Sequence, residues 1–175
     1  MKAEGCTVWL TGFQGSGKRA ISDELARLLL ARHVPVEQFD VRTPGLESFR
    51  SADPTDAGRY ERRLGFLAMA LNRHGVSVVV ATMSPSREVR DALRGEIPHF
   101  MEVYVRRPAP PAGHHYEEPL TPDVEVAASG GAAEAAAVIA RALEERGYLP
   151  RAPEAQAAAD EEQQIIKRLK DFGYM

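Results

Sequence analysis

The sequence predicts an α/β fold, a three-layer sandwich around a mainly parallel sheet of five strands. Three observations carry this. The β-prone run Val8-Trp9-Leu10-Thr11 turns through Gly12, Gly15 and Gly17 into the helical pattern of Ala20-Ile21-Ser22-Asp23-Glu24-Leu25. Val76-Ser77-Val78-Val79-Val80-Ala81 is an almost continuous β-branched run, the pattern of a central parallel strand buried on both faces. Strand-like and helix-like stretches then alternate along most of the chain, as a parallel sheet with helices on its faces requires.

Taken in order, the first strand is Thr7 to Thr11. The helix after the glycine loop carries Ile21, Leu25, Leu28 and Leu29 at helical spacing and ends near Arg32-His33. Val34 to Phe39 reads as a second short strand, closing on Asp40-Val41-Arg42. Residues 43–53, with Pro44, Gly45, Ser51 and Asp53, read as loop. Pro54 to Arg73 is predicted helical, with Leu64, Leu67, Ala68 and Leu71 as its apolar stripe, and Gly75 breaks it. After the central strand, Pro85 opens a helix to about Gly95, and Phe100 to Val105 is a further strand. The proline-rich Arg106 to Pro122 reads as loop. Val124-Glu125-Val126 makes a last short strand, and Ala132 to Arg146 a helix that Gly147 caps.

These elements define a domain over residues 1–149, an Ala/Pro-rich linker over 150–159, and a C-terminal helical docking tail over 160–175. Leu143-Glu144-Glu145-Arg146-Gly147-Tyr148-Leu149 echoes Leu169-Lys170-Asp171-Phe172-Gly173-Tyr174-Met175. Convergent helix-ending chemistry explains the echo, and so does a docking peptide for a protein partner or sister subunit.

Composition narrows the function classes. The chain has 175 residues, 44% of them apolar, and a net charge of −3. That balance excludes the basic surface that non-specific nucleic-acid binding uses. The single cysteine, Cys6, cannot form an internal disulfide, which points to a reducing cytoplasm. It reads as a small residue entering the first strand rather than as a catalytic thiol. No apolar run is long enough to span a membrane, and Met1 to Gly5 has no signal-peptide apolar core. The adjacent His114 and His115 have no third ligand in view and read as solvated loop, so no metal site is expected there.

Gly12-Phe13-Gln14-Gly15-Ser16-Gly17-Lys18-Arg19 fits G-x-x-x-x-G-K-[ST], the phosphate-binding P-loop, at every fixed position except the last. The glycines let backbone N–H groups converge on phosphate oxygens at a helix N-terminus, and Lys18 brings a cation to the terminal phosphates. The expected hydroxyl, a hard oxygen for Mg²⁺, is replaced by a guanidinium. Arg19 has donors and no acceptor, so it cannot ligate the ion, although it can neutralise phosphate directly. Ser16 or Thr11 would have to supply a substitute oxygen, from an unusual place. The expected ligand is ATP or another phosphate-bearing nucleotide, held by Gly12, Gly15, Ser16, Gly17, Lys18 and Arg19 without a built Mg²⁺ site.

With the loop placed, further stretches resemble the adenylylsulfate kinase family, whose members transfer the ATP γ-phosphoryl to the 3′-hydroxyl of adenosine 5′-phosphosulfate. They are Gly5-Cys6-Thr7-Val8-Trp9-Leu10-Thr11-Gly12, Arg62-Arg63-Leu64-Gly65-Phe66-Leu67-Ala68, Ser84-Pro85-Ser86-Arg87-Glu88-Val89-Arg90-Asp91, Phe100-Met101-Glu102-Val103-Tyr104-Val105 and Tyr116-Glu117-Glu118-Pro119-Leu120. The resemblance covers residues 5–149 and implies a P-loop nucleotide-kinase fold, a role in sulfate assimilation and a homodimer. It places Lys18 and Asp40 as catalytic residues and makes Arg63 and Arg87 adenylylsulfate-binding. Read from the residues alone, Arg62, Arg63 and Arg90 are solvated charges on helix faces.

The departures point away from ordinary catalysis. Where the family has Asp-Gly-Asp, this chain has Asp40-Val41-Arg42, so the second carboxylate becomes a guanidinium. Ala57, Gly58 and Tyr60 stand at the Arg, Asp and Asn of a substrate-contacting segment. The long basic lid is replaced by Arg106-Arg107-Pro108 and a short proline-rich bypass. Three readings stay open: a nucleotide-binding domain with lost or impaired phosphotransfer and a regulatory role, an active adenylylsulfate kinase, and a scaffolding domain acting through its tail.

Overall fold

The computed structural model describes residues 4–50, 58–107 and 115–150. Five strands, β1 (Thr7–Thr11), β2 (Val36–Phe39), β3 (Ser77–Ala81), β4 (Phe100–Arg106) and β5 (Val124–Ala127), form one sheet in the order β2-β3-β1-β4-β5. Every pairing is parallel, with Trp9 beside Val80 on one side and Glu102 on the other. The sheet is crossed by α1 (Lys18–Ala31), α2 (Arg59–Asn72), α3 (Arg87–Glu96) and α4 (Ala132–Glu145).

Strand periodicity divides the core in two. Val8, Leu10, Val79, Met101 and Val103 face α1 and α4, where Ile21, Leu25, Leu29, Ile139 and Leu143 meet them. Their neighbours Trp9, Val78, Val80 and Phe100 face the other way, onto Leu64 and Ala68 of α2 and Val89 and Leu93 of α3. Trp9 is fully buried in this second layer, with its ring centroid 5.9 Å from that of Phe100. The β-branched run of β3 is buried along its whole length, because alternate residues serve both layers.

Several boundaries differ from the sequence expectation, each for a local reason. Strand β2 starts at Val36 because Val34 belongs to the end of α1: its N–H donates to the Leu29 carbonyl at 3.0 Å, and His33 takes a left-handed φ of 59°. Within the expected loop over 43–53, whose residues 51–53 lie outside the described residues, Leu46–Phe49 forms a 3₁₀ turn that buries Leu46 in the second layer. Helix α2 spans Arg59–Asn72, entered through Gly58, which is left-handed with φ 83°; the expected start at Pro54 lies outside the described residues. Helix α3 begins at Arg87, where the Ser86 hydroxyl accepts the Val89 N–H. Gly147 ends α4 with φ 72° while the Gly147 and Tyr148 N–H groups return to Glu144 and Leu143.

Arg90 corrects a further expectation. It is not solvated: it is 1% exposed, and its guanidinium binds Glu102 Oε1 at 2.7 Å and the carbonyls of Ser84 and Glu117. Among the described residues no helix is long and apolar enough to cross a membrane, and no cluster of His, Cys, Asp and Glu is arranged to hold a metal ion. The expected linker beyond Pro150 and the docking tail lie outside the described residues.

Candidate functional site

The glycine loop leaves the C-terminal end of β1, the central strand, so β3 and β4 flank it. Gly12 must be glycine: a Cβ there would stand 2.5 Å from the Val105 carbonyl oxygen. Gly17 has φ 94° and caps α1, and a Cβ there would stand 2.3 Å from the Ala128 Cβ. Helix α1 has no side-chain cap and no acidic residue in its first turn. Its first N–H groups therefore face outward without an internal anion, which is the electrostatic condition for binding one.

That end of α1 opens on a cleft of about 740 Å³ lined by Gln14, Gly15, Gly17, Lys18, Arg19, Asp40, Val41, Arg50 and the β3 exit Ala81-Thr82-Met83. Lys18 folds back over the loop, donating to the carbonyls of Gly12 at 2.8 Å and Phe13 at 2.7 Å and to Ser16 Oγ at 3.3 Å. Burial pushes its pKa down to about 8.

Asp40 follows β2 and is 7% exposed. Its Oδ1 accepts the Arg42 N–H at 2.7 Å, and its Oδ2 accepts Arg42 Nε at 2.8 Å and lies 2.6 Å from Arg42 Nη2. Arg19 Nε is 3.6 Å from the same Oδ2. Arg42 also reaches Asp23 Oδ1 at 3.2 Å. Burial opposes the charge of Asp40, but the hydrogen bonds from Arg42, and the charges of Arg42 and Arg19, hold its carboxyl below the usual carboxylate range.

Mg²⁺ needs several hard oxygens in octahedral geometry, and these residues do not fit it. Position 19 offers a guanidinium, and Arg42 occupies both oxygens of Asp40. The substitute hydroxyls are also committed: Thr11 Oγ1 donates to the Met83 carbonyl at 2.8 Å, 3.0 Å from the Tyr116 hydroxyl, and Ser16 Oγ accepts from Lys18.

Of the sequence-predicted site residues, the structure gathers Gly15, Gly17, Lys18, Arg19 and Asp40 on the cleft, with Gly12 and Ser16 in the loop behind. Arg63 is elsewhere. It donates to the Phe49 carbonyl at 3.0 Å, lies over the Phe49 ring, and helps line a separate groove of about 430 Å³ on α2 with Arg59, Arg62 and Phe66. Arg87 grips the Glu118 carbonyl through Nε and Nη2 at 3.1 and 2.9 Å. With Arg90, it holds the strap that carries Tyr116, whose ring packs 4.8 Å from Phe13. Burial pushes the Tyr116 hydroxyl up to about 12. His115 is largely exposed, with Nε2 3.7 Å from Glu117 Oε1.

Sequence reasoning missed Arg50 and Arg107. Arg50 lines the cleft and stacks over Tyr60 at 5.2 Å. Arg107 Nη1 donates to the Gln14 carbonyl at 2.7 Å, at the crest of the phosphate loop. The doubled arginine directly after a predicted strand was the available signal for Arg107. Nothing local marks Arg50.

A family model described as adenylylsulphate kinase matches residues 4–114. The chain belongs to the adenylylsulfate kinase family. It is 42% identical to an adenylyl-sulfate kinase of Gloeothece citriformis over 111 residues, a match that covers 62% of each chain. It is 32% identical to a probable adenylyl-sulfate kinase of Pyrococcus abyssi over 173 residues, covering 84% of this chain and 99% of that one. An APS kinase of Mycobacterium tuberculosis, solved with AMPPNP and APS, superposes with a TM-score of 0.70 at 27% identity over 81% of this chain and 98% of its own. A hexameric APS kinase from Thiobacillus denitrificans superposes with a TM-score of 0.69 at 28% identity, covering 85% of this chain and 30% of that one. The fold is thus the α/β P-loop kinase fold of these proteins, and the matched part of the chain spans less than two thirds of the length of the first of these relatives.

Proposed function

We propose that this domain binds a phosphate-bearing nucleotide in the cleft of Gly12–Arg19, with phosphoryl transfer lost or sharply reduced, and serves as a binding or regulatory module. The observation that carries the reading is the capture of Asp40 by Arg42 and Arg19. A carboxylate whose Oδ1 is held by the Arg42 backbone N–H and whose Oδ2 is held by the Arg42 guanidinium, with Arg19 a further 3.6 Å away, neither organises a metal nor accepts a hydroxyl proton. In phosphoryl transfer, placement and charge stabilisation supply nearly all the rate, so this loss alone removes orders of magnitude. The AMPPNP and APS of the M. tuberculosis structure make ATP and adenylylsulfate the first ligands to try. Backbone N–H groups of Gly15 to Lys18 would cradle the phosphates and Lys18 would carry the compensating charge. Asp40 stands as the remaining candidate carboxylate, and Arg63 and Arg87 as candidate adenylylsulfate contacts that must first leave Phe49 and Glu118. A homodimer and a partner for residues 160–175 belong to the same proposal.

A coupled assay for 3′-phosphoadenylylsulfate, with ATP, adenylylsulfate and Mg²⁺, tests it. The expected result is no turnover above background together with measurable nucleotide binding. Clear turnover overturns it in favour of the second reading, an active adenylylsulfate kinase, which the 42% identity to a named kinase supports.

A further inference from the structure

We infer that the cleft takes its phosphate ligand as the free anion, with arginine charge standing where the family would use Mg²⁺. The inference rests on reading the cleft as a nucleotide-phosphate site, and adds which ionic form of the ligand that site selects.

Three observations support it. First, the donor set is wrong for the metal and right for phosphate. The cleft lining carries three cationic side chains, Lys18, Arg19 and Arg50, against the single carboxylate of Asp40. Second, the two guanidiniums on Asp40 are unequal. Arg42 makes three close contacts, between 2.6 and 2.8 Å, from its backbone and side chain. Arg19 makes one loose contact at 3.6 Å, with its side chain 51% exposed. Arg42 therefore satisfies Asp40 by itself. Arg19, in the first turn of α1 beside Lys18, can turn to a phosphate without leaving a buried carboxylate unpaired. Third, Arg107 adds a guanidinium on the other flank of the loop, at the Gln14 carbonyl.

Mg²⁺ would work against this arrangement on both sides. Bound to a polyphosphate, it removes the charge that attracts the arginines. Bound to the protein, it must displace Arg42 from Asp40 and sit beside two like charges.

Calorimetric titration of the full chain with ADP and with inorganic pyrophosphate, in EDTA and in excess MgCl₂, decides the matter. The expected result is binding in EDTA that weakens about tenfold or more with Mg²⁺. Arg19→Ala should remove most of this difference by weakening the EDTA titration. Arg19→Thr combined with Arg42→Asp should reverse the preference. Should the double variant fail to fold, wild type against Arg19→Ala still decides. Binding that tightens with Mg²⁺, or an Arg19→Ala variant with the same Mg²⁺ response as wild type, overturns the inference and leaves the nucleotide site standing. Absence of binding by either ligand in both buffers, in wild type as in Lys18→Ala, overturns the nucleotide site itself, and the inference falls with it.

Discussion

Arg90 of α3 and Glu102 of β4 form an ion pair inside the protein, Nε to Oε1 at 2.7 Å, with side chains 0% and 5% exposed. The pair heads a ladder. Glu102 Oε2 meets Arg94 at 2.9 Å, Arg94 meets Asp123 at 2.7 Å, and Asp123 meets Arg146 at 2.8 Å. The ladder ties α3, β4, the approach to β5 and the end of α4 into one unit. Arg90 extends it to the site through the Ser84 and Glu117 carbonyls.

Removing the head of the ladder should be expensive. Arg90→Ala leaves Glu102 with Arg94 alone, removes the Arg90 donor from the half-buried Glu117 carbonyl, and leaves the buried Ser84 carbonyl only the long 3.5 Å contact of Thr11 Oγ1. The expected loss is about 3 kcal/mol or more in urea unfolding. Arg90→Lys should recover only part of it, since an ammonium cannot serve three partners in the plane of a guanidinium. A loss below about 1 kcal/mol would show that the ladder is not a stability element.

Lys18 sets a pH signature. Its pKa falls from an ordinary 10.5 to about 8 in the folded protein. Between those values the unfolded chain binds more protons than the folded one, so stability should rise as pH increases from about 8 to about 10.5. Lys18→Met should flatten that rise in a series of melts. Nucleotide affinity should move the opposite way and decline as pH passes about 8, because phosphate needs the charged ammonium. Lys18→Arg should not decline there.

Gly17→Ala should damage the loop rather than only the helix. The new methyl faces both a left-handed φ of 94° and the Ala128 Cβ at 2.3 Å. A destabilisation of about 2 kcal/mol is expected, with loss of nucleotide binding even under conditions where the protein is fully folded. Gly147→Ala, which meets a positive φ but open space, should cost about 1 kcal/mol and leave binding unchanged.

Arg87→Ala separates anchoring from ligand contact. If the guanidinium mainly holds the strap, the variant should lose amide protection over residues 116–118 while ATP affinity changes less than about threefold. A selective loss of adenylylsulfate binding with protection intact would instead assign Arg87 to the ligand.

The parts of this protein that could be read from sequence are those written in local pattern. Strand β1, the glycine loop, β3 and β4 fell where alternation and glycine spacing put them, because each depends on residues a few positions apart. Asp40 and Arg42 were visible as a changed motif. Their mutual capture was not, since it depends on a turn in which the Thr43 N–H returns to the Asp40 carbonyl and the Arg42 N–H to the Asp40 side chain. The burial of Arg90 is not written in local pattern, because its partners lie 6, 12 and 27 residues away and helical periodicity marks a face as inward only when its residues are apolar. Arg50 reaches the cleft from a 3₁₀ turn that no apolar spacing announces.

Trp9 is the chain's single tryptophan, and it lies in the layer beneath α2 and α3, on the far side of the sheet from α1. Intrinsic emission is therefore an unlabelled gauge of one half of the core. Set against far-ultraviolet dichroism, which reports helices of both layers, it can reveal whether the two halves of this sandwich come apart together or in sequence.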